Sequence, residues 1–142
     1  MKQYNKQDLG KLRDLNQHVF APEGLPIRIE GKAFLKSLLG LTSVEVSINR
    51  DAPGTGTTFV HRHRRNEETY IFLGGEGEMM IDGERCEVSE GTVVRVQPEA
   101  RRAWWNTGNE ALYYVVIQAP SGGLDAGTHN DGELVDEKVP WV

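Results

Sequence analysis

H-R-H-R-R-N-E-E-T-Y-I-F-L-G-G occupies residues 61–75, and its reading decides the fold. Side chains alternate between the two faces of a strand, so His61 and His63, one residue apart, point the same way. Glu68 follows five residues later. Two imidazoles and a carboxylate are a nitrogen/oxygen donor set suited to a divalent transition metal. Glu67 adjoins Glu68 and must face the other way, so only one of the two can join the histidines. Tyr70 and Phe72 share the parity of Glu68 and belong beside it, as core packing or as walls against a ligand.

Working outward, the chain reads as short strands between turns. Val44, Val46 and Ile48 alternate with Ser43, Glu45, Ser47 and Asn49, the period of a strand. D-A-P-G-T-G, residues 51–56, is a turn, and residues 57–63 read as a strand carrying the histidines. Residues 64–67 read as a polar turn and 68–73 as a strand ended by Gly74-Gly75. Asp82-Gly83 between two short strands is the strongest hairpin signal in the chain. Strands are expected again over 92–96, 104–106 and 112–118. Turns at intervals of about eight to twelve residues indicate an all-β sandwich or barrel.

The flanks are less regular. Leu9, Leu12 and Leu15 recur at helical spacing in the polar first twenty residues. A short strand is expected over 26–30, and a helical turn or strand lead-in over 33–41. These divisions give an N-terminal extension at 1–41, a barrel at 42–118 and an irregular Gly/Asp/Ser-containing tail at 119–142.

The bulk properties bound the function. The 142 residues suffice for one domain with a real core. Apolar residues at 38% and charged residues at 26% fit a globular chain. The formal charge of -5 argues against nonspecific nucleic-acid binding, which needs basic patches to displace phosphate counterions. The single cysteine, Cys86, excludes an intrachain disulfide and a Cys-based zinc site, and a packed or partly buried thiol is expected. The N-terminus lacks the apolar run of a signal peptide, and no stretch approaches the roughly 20 apolar residues of a membrane span, so a cytoplasmic location is expected.

The motif resembles that of the cupin superfamily, whose first motif has the form G-x5-H-x-H-x3/4-E-x6-G. His61, His63, Glu68 and Gly75 match it in type and spacing, while the leading glycine falls on Thr55, between Gly54 and Gly56. The second motif is G-x5-P-x-G-x2-H-x3-N. Gly91 and Asn106 match, but Gln97 stands for proline, Glu99 for glycine and Arg102 for the last histidine. The resemblance spans residues 42–118 and implies a double-stranded β-helix, or jelly roll, and a homodimer. It also implies a site for Fe, Mn, Ni or Zn with His61, His63 and Glu68 as ligands, three of the family's four.

Arg102 cannot replace the lost ligand, because a guanidinium stays protonated and offers no lone pair. It can pair with Glu68 and leave the site without metal, clamp an anionic substrate group beyond the metal, or turn to solvent. Trp104 shares its parity and packs in the core or floors a ligand; Gln97 reaches a ligand or ends a strand. Arg62, Arg64 and Arg65 form a charged rim, and His18 and His129 are expected at the surface. Two functions stay open: a metal-dependent cupin acting on a small, anionic metabolite, oxygenase-like or isomerase-like, or a metal-free module that binds a ligand or dimerises.

Overall fold

A computed structural model of the chain describes residues 2–124 and 131–142. Strand β1 (Val19–Phe20) pairs with β2 (Ile29–Glu30). β3 (Lys32–Phe34) joins β4 (Glu45–Asp51), β10 (Leu112–Pro120), β5 (Asn66–Gly74) and β8 (Val93–Val96) in a five-stranded antiparallel sheet of order β3-β4-β10-β5-β8. A three-stranded sheet, β7-β6-β9, is built from β6 (Glu76–Ile81), β7 (Glu84–Ser89) and β9 (Arg102–Asn106). One core joins the two sheets, with Tyr70 and Phe72 of β5 packed with Met79, Val88, Trp104, Leu112 and Tyr114. This is the all-β architecture expected from the turn spacing, in the jelly-roll form that the motif resemblance implied.

The hairpin at Asp82-Gly83 links β6 to β7 with positive φ at both residues, 50° and 85°. That geometry matches the right-handed twist of the flanking strands. Gly75 (φ 86°) ends β5 where the backbone of β10 leaves no room for a side chain: a Cβ there would lie 2.4 Å from the Ala111 carbonyl oxygen. The last position of the first motif is therefore glycine for two reasons, conformation and space.

Three expectations change. Residues 57–63 do not form a strand. They run alongside β9 and touch it only at intervals, through isolated bridges pairing Gly56 with Trp105 and His61 with Arg102. The turn expected over 64–67 is shorter, because β5 already begins at Asn66. Cys86 is exposed rather than packed; it shares a face with the buried Met79, but β7 lies at the sheet edge.

Along β4 the buried members are Ser47, Asn49 and Asp51, while Val46 and Ile48 are half-buried. The polar parity faces the barrel interior, which is the first sign that the interior is more than a core. In the N-terminal segment, Leu12–Gln17 form a 3₁₀ helix that buries Leu15 completely. Helix α1 (Leu35–Leu39) follows β3 directly and stops at Gly40, whose φ of 68° suits glycine at a helix C-terminus. No helix among the described residues is long and apolar enough to cross a membrane. Residues 131–142 lie exposed, and His129 falls outside the described residues.

Candidate metal centre

Local backbone pairing brings the three motif donors together. His61 exchanges backbone hydrogen bonds with Arg102 of β9, N–H to carbonyl, at 3.1 and 2.9 Å. The His63 N–H donates to the Pro98 carbonyl at 2.8 Å. The histidine segment is thus pinned across the start of β9, and Glu68 projects inward from the neighbouring β5. His61 Nε2 lies 3.8 Å and His63 Nε2 3.3 Å from Glu68 Oε1. One donor atom from each residue falls within a sphere of mutual distances no greater than 4.8 Å.

The electrostatics keep these donors ready. Burial pushes the His63 pKa down, against the pull of Glu68, and Arg102 and His61 lower it further. His63 is thereby held neutral, the form that can ligate. Burial alone would raise the Glu68 pKa, but the neighbouring His61, the Tyr70 hydroxyl, His63 and the Arg102 guanidinium outweigh it and hold Glu68 below the ordinary value. Tyr70 donates to Glu68 Oε1 at 2.8 Å, so one lone pair is committed. Oε2 has only a long contact, 3.5 Å, from Gln118 Nε2. Buried His61 Nδ1 and His63 Nε2 have no hydrogen-bond partner. An unpartnered His63 Nε2 beside an ionised carboxylate, with His61 Nε2 close by, is what a bound cation would satisfy, so the donor set fits a divalent ion.

Arg102 is completely buried, and its guanidinium is directed at backbone carbonyls. Its Nη1 donates to the carbonyls of Ala100 (2.6 Å) and Pro98 (3.1 Å), and Nη2 to that of Gln97 (3.3 Å). Its Nε lies 3.3 Å from Glu68 Oε1, at ion-pair distance but without hydrogen-bond geometry. The guanidinium therefore ties down the loop before β9 and supplies a fixed positive charge behind Glu68.

Next to the triad opens a cavity of about 250 Å³, lined by His61, His63, Glu68 and Trp104, with Phe20, Ile27, Phe34 and Phe59 among its apolar walls. Arg102, Gln97, Tyr70 and Phe72 do not line it. Tyr70 and Phe72 are wholly buried core residues, and Gln97 is exposed. Trp104 alone of the five residues expected at a ligand reaches the cavity, and its Nε1 donates to the Tyr114 hydroxyl at 2.7 Å. Trp105 faces out, as the parity requires. Glu67 faces out as well and pairs with Arg95. Sequence reading missed Lys32, Glu45, Ser47 and Gln118, which also line the cavity. The polar parity of β4 was the one available signal.

The cupin domain family matches residues 48–118, half of the chain and both motifs. The chain is a cupin. A crystal structure of a cupin protein from Bacteroides fragilis superposes with a TM-score of 0.78 at 31% identity, over 95% of this chain and 99% of that one. An uncharacterised protein of Methanocaldococcus jannaschii is 30% identical over 84 residues, 59% of this chain and 63% of its own length. The chain thus spans less than two thirds of that relative. A predicted oxalate decarboxylase of Thermotoga maritima has a TM-score of 0.51 at 24% identity, covering 53% of this chain and 64% of that one, a likeness of fold alone. Within the cupin frame, this chain keeps two histidines and the glutamate together and has a buried arginine at the fourth ligand position.

Proposed function

We propose that this cupin holds a divalent transition metal (Fe, Mn, Ni or Zn) on His61, His63 and Glu68 and takes a small anionic metabolite in the adjoining cavity. The observation that carries the reading is the convergence of His61 Nε2 and the unpartnered, buried His63 Nε2 on an ionised, incompletely hydrogen-bonded carboxylate. When bound, the metal supplies Lewis acidity and open coordination positions for a ligand oxygen. The chain's own residues orient and insulate that site. Tyr70 fixes the Glu68 rotamer through its hydroxyl. Trp104 and Phe59 pack around His61, with ring centroids 5.9 Å away in each case. The walls exclude water from one side of the cavity.

Charge balance supports an anionic ligand. Glu68 is the one carboxylate of the triad, and its charge is already shared with Arg102 at 3.3 Å. A dication added to two neutral imidazoles leaves the centre net positive, which favours an anion in the open positions. The cavity lies just below the range of roughly 300–1,000 Å³ common for ligand clefts, so the metabolite is small. Oxygenase-like and isomerase-like chemistry both suit three protein ligands with open positions.

The same Arg102–Glu68 contact favours a second reading, a metal-free ligand-binding module in which the guanidinium alone neutralises Glu68. Elemental analysis of the purified protein separates the two. Near-stoichiometric metal in wild type, lost in His61→Ala, supports the first reading. Metal-free protein whose melting temperature does not move with added divalent ions supports the second, since an ion bound only to the folded state stabilises by about 2.7 kcal/mol at a hundredfold excess over Kd.

The proposed homodimer finds support in the outer face of β5 and β8, where Leu73 (44% exposed) and Val93 (66% exposed) present apolar surface. Sedimentation equilibrium tests it, and a monomer at high concentration would refute it.

A further inference from the structure

Lys32 stands apart from the metal donors and from every residue expected at a ligand. Strand pairing opposes Lys32 to Asn49 and Asn49 to Tyr114, so all three side chains share the inward face. Lys32 Nζ donates to Asn49 Oδ1 at 2.7 Å and to Ser47 Oγ at 3.4 Å, both neutral acceptors. Among the described residues no carboxylate oxygen lies within 4.0 Å of it. Glu45, the lining acid on this wall, is engaged by the Lys36 backbone N–H at 3.0 Å. An ammonium carries three donors. Two are spoken for, and the side chain lines the cavity with the Phe34 ring 5.2 Å from Nζ.

A lysine in such a place is unfavourable without a counter-ion, because desolvating a charge costs more than neutral hydrogen bonds return. Burial lowers its pKa to about 8, against the raising fields of Asp51, Glu68 and Glu45, so it is still predominantly charged at neutral pH. It is the one Lys or Arg among the described lining residues. A phosphate monoester, with a charge of about −1.5 to −2, would call for more cationic donors than this wall holds. A single carboxylate matches it. The surrounding Phe20, Ile27, Ile29 and Phe34 match an apolar body.

We propose that Lys32 is the anion seat of this cavity and that the ligand is a small carboxylic acid with an apolar body, its carboxylate on Lys32 Nζ beside Ser47 Oγ. Lys32, not Arg102, then selects the ligand's charge. The inference rests on the reading of this cavity as the ligand pocket of the metal site, and it needs no metal to be tested.

The full chain, stripped of metal by chelator, is titrated calorimetrically with 3-phenylpropionate and with 3-phenylpropan-1-ol, which share a body and differ in charge. The acid should bind at least about tenfold more tightly than the alcohol, and Lys32→Met should bring the two within about twofold. Equal affinities in wild type, a preference that survives Lys32→Met, or no binding of the acid would overturn the proposal. A second measurement needs no variant: acetylation of Lys32 by acetic anhydride, mapped by mass spectrometry, should slow with the acid present and not with the alcohol. An unchanged rate with the acid overturns the proposal as well. Metal content is measured separately on untreated protein. Loss of charge preference in a metal-loaded protein sinks only the role of Lys32, and a preserved preference in a protein that never takes up metal sinks only the metal centre.

Discussion

Replacing Arg102 by methionine should destabilise the metal-free protein by about 3–5 kcal/mol, the usual cost of removing one partner from a buried ion pair. The magnitude follows from the surroundings. Arg102 is wholly buried, and the Glu68 side chain is only 6% exposed. At 3.3 Å and an effective dielectric of about 20, the attraction is about 5 kcal/mol, part of which offsets desolvation. The variant also leaves the carbonyls of Gln97, Pro98 and Ala100 without their donor. Methionine fills a comparable volume, so little of the loss comes from a cavity. A divalent ion at the triad would supply the missing positive charge beside Glu68. Added Mn or Zn should therefore raise the stability of Arg102→Met by more than it raises wild type. Urea denaturation followed by Trp fluorescence, with and without metal, measures both quantities. A loss below about 1 kcal/mol, or equal metal stabilisation in the two proteins, would refute the assignment of Arg102 as the buried counter-charge of Glu68.

Other outcomes follow from the same contacts. Glu68→Gln preserves shape but removes the anionic donor, so metal content by elemental analysis should fall sharply; undiminished metal would remove Glu68 from the ligand set. Asp51 is pushed up to about 6, chiefly by burial, against the Tyr114 hydroxyl, Lys32 and Trp104. Its folded pKa exceeds the ordinary 3.8, so the folded state binds the proton more tightly and this group favours folding increasingly as pH falls through about 6. Between pH 7 and 5 wild type should gain about 1 kcal/mol relative to Asp51→Asn, read from paired urea curves; no relative gain would contradict the burial argument. Gly75→Ala should cost at least about 2 kcal/mol, since the residue has φ 86° and the new Cβ would collide with backbone of Ala111 and Leu112; a melting temperature within a degree of wild type would refute the packing described at the end of β5.

Much of the fold was legible because it rests on local chemistry. The Asp82-Gly83 hairpin, the Gly74-Gly75 stop and the alternating strands each carry their geometry in a few residues. The members of the triad were legible from residue type and spacing, although the segment carrying His61 and His63 is not a strand and its pairing with the start of β9 holds it against Glu68. What could not be read depends on distant partners. Whether residues 57–63 complete a strand is decided by how β9 runs beside them. The side chain of Arg102 was open to three fates, and the carbonyls of residues 97, 98 and 100 decide it. Lys32 carried no signal at all, because a lysine opening a three-residue strand reads as a solvated charge. Only its pairing through β4, where the polar parity faces inward, turns it into the cavity.

Anomalous diffraction at the absorption edge of a metal soaked into crystals of this protein tests the central claim most directly. The account predicts a single strong peak between His61, His63 and Glu68, at about 2.0–2.2 Å from a nitrogen of each imidazole and a carboxylate oxygen. No peak there at saturating metal, with Arg102 Nε and Glu68 still in contact, would contradict it.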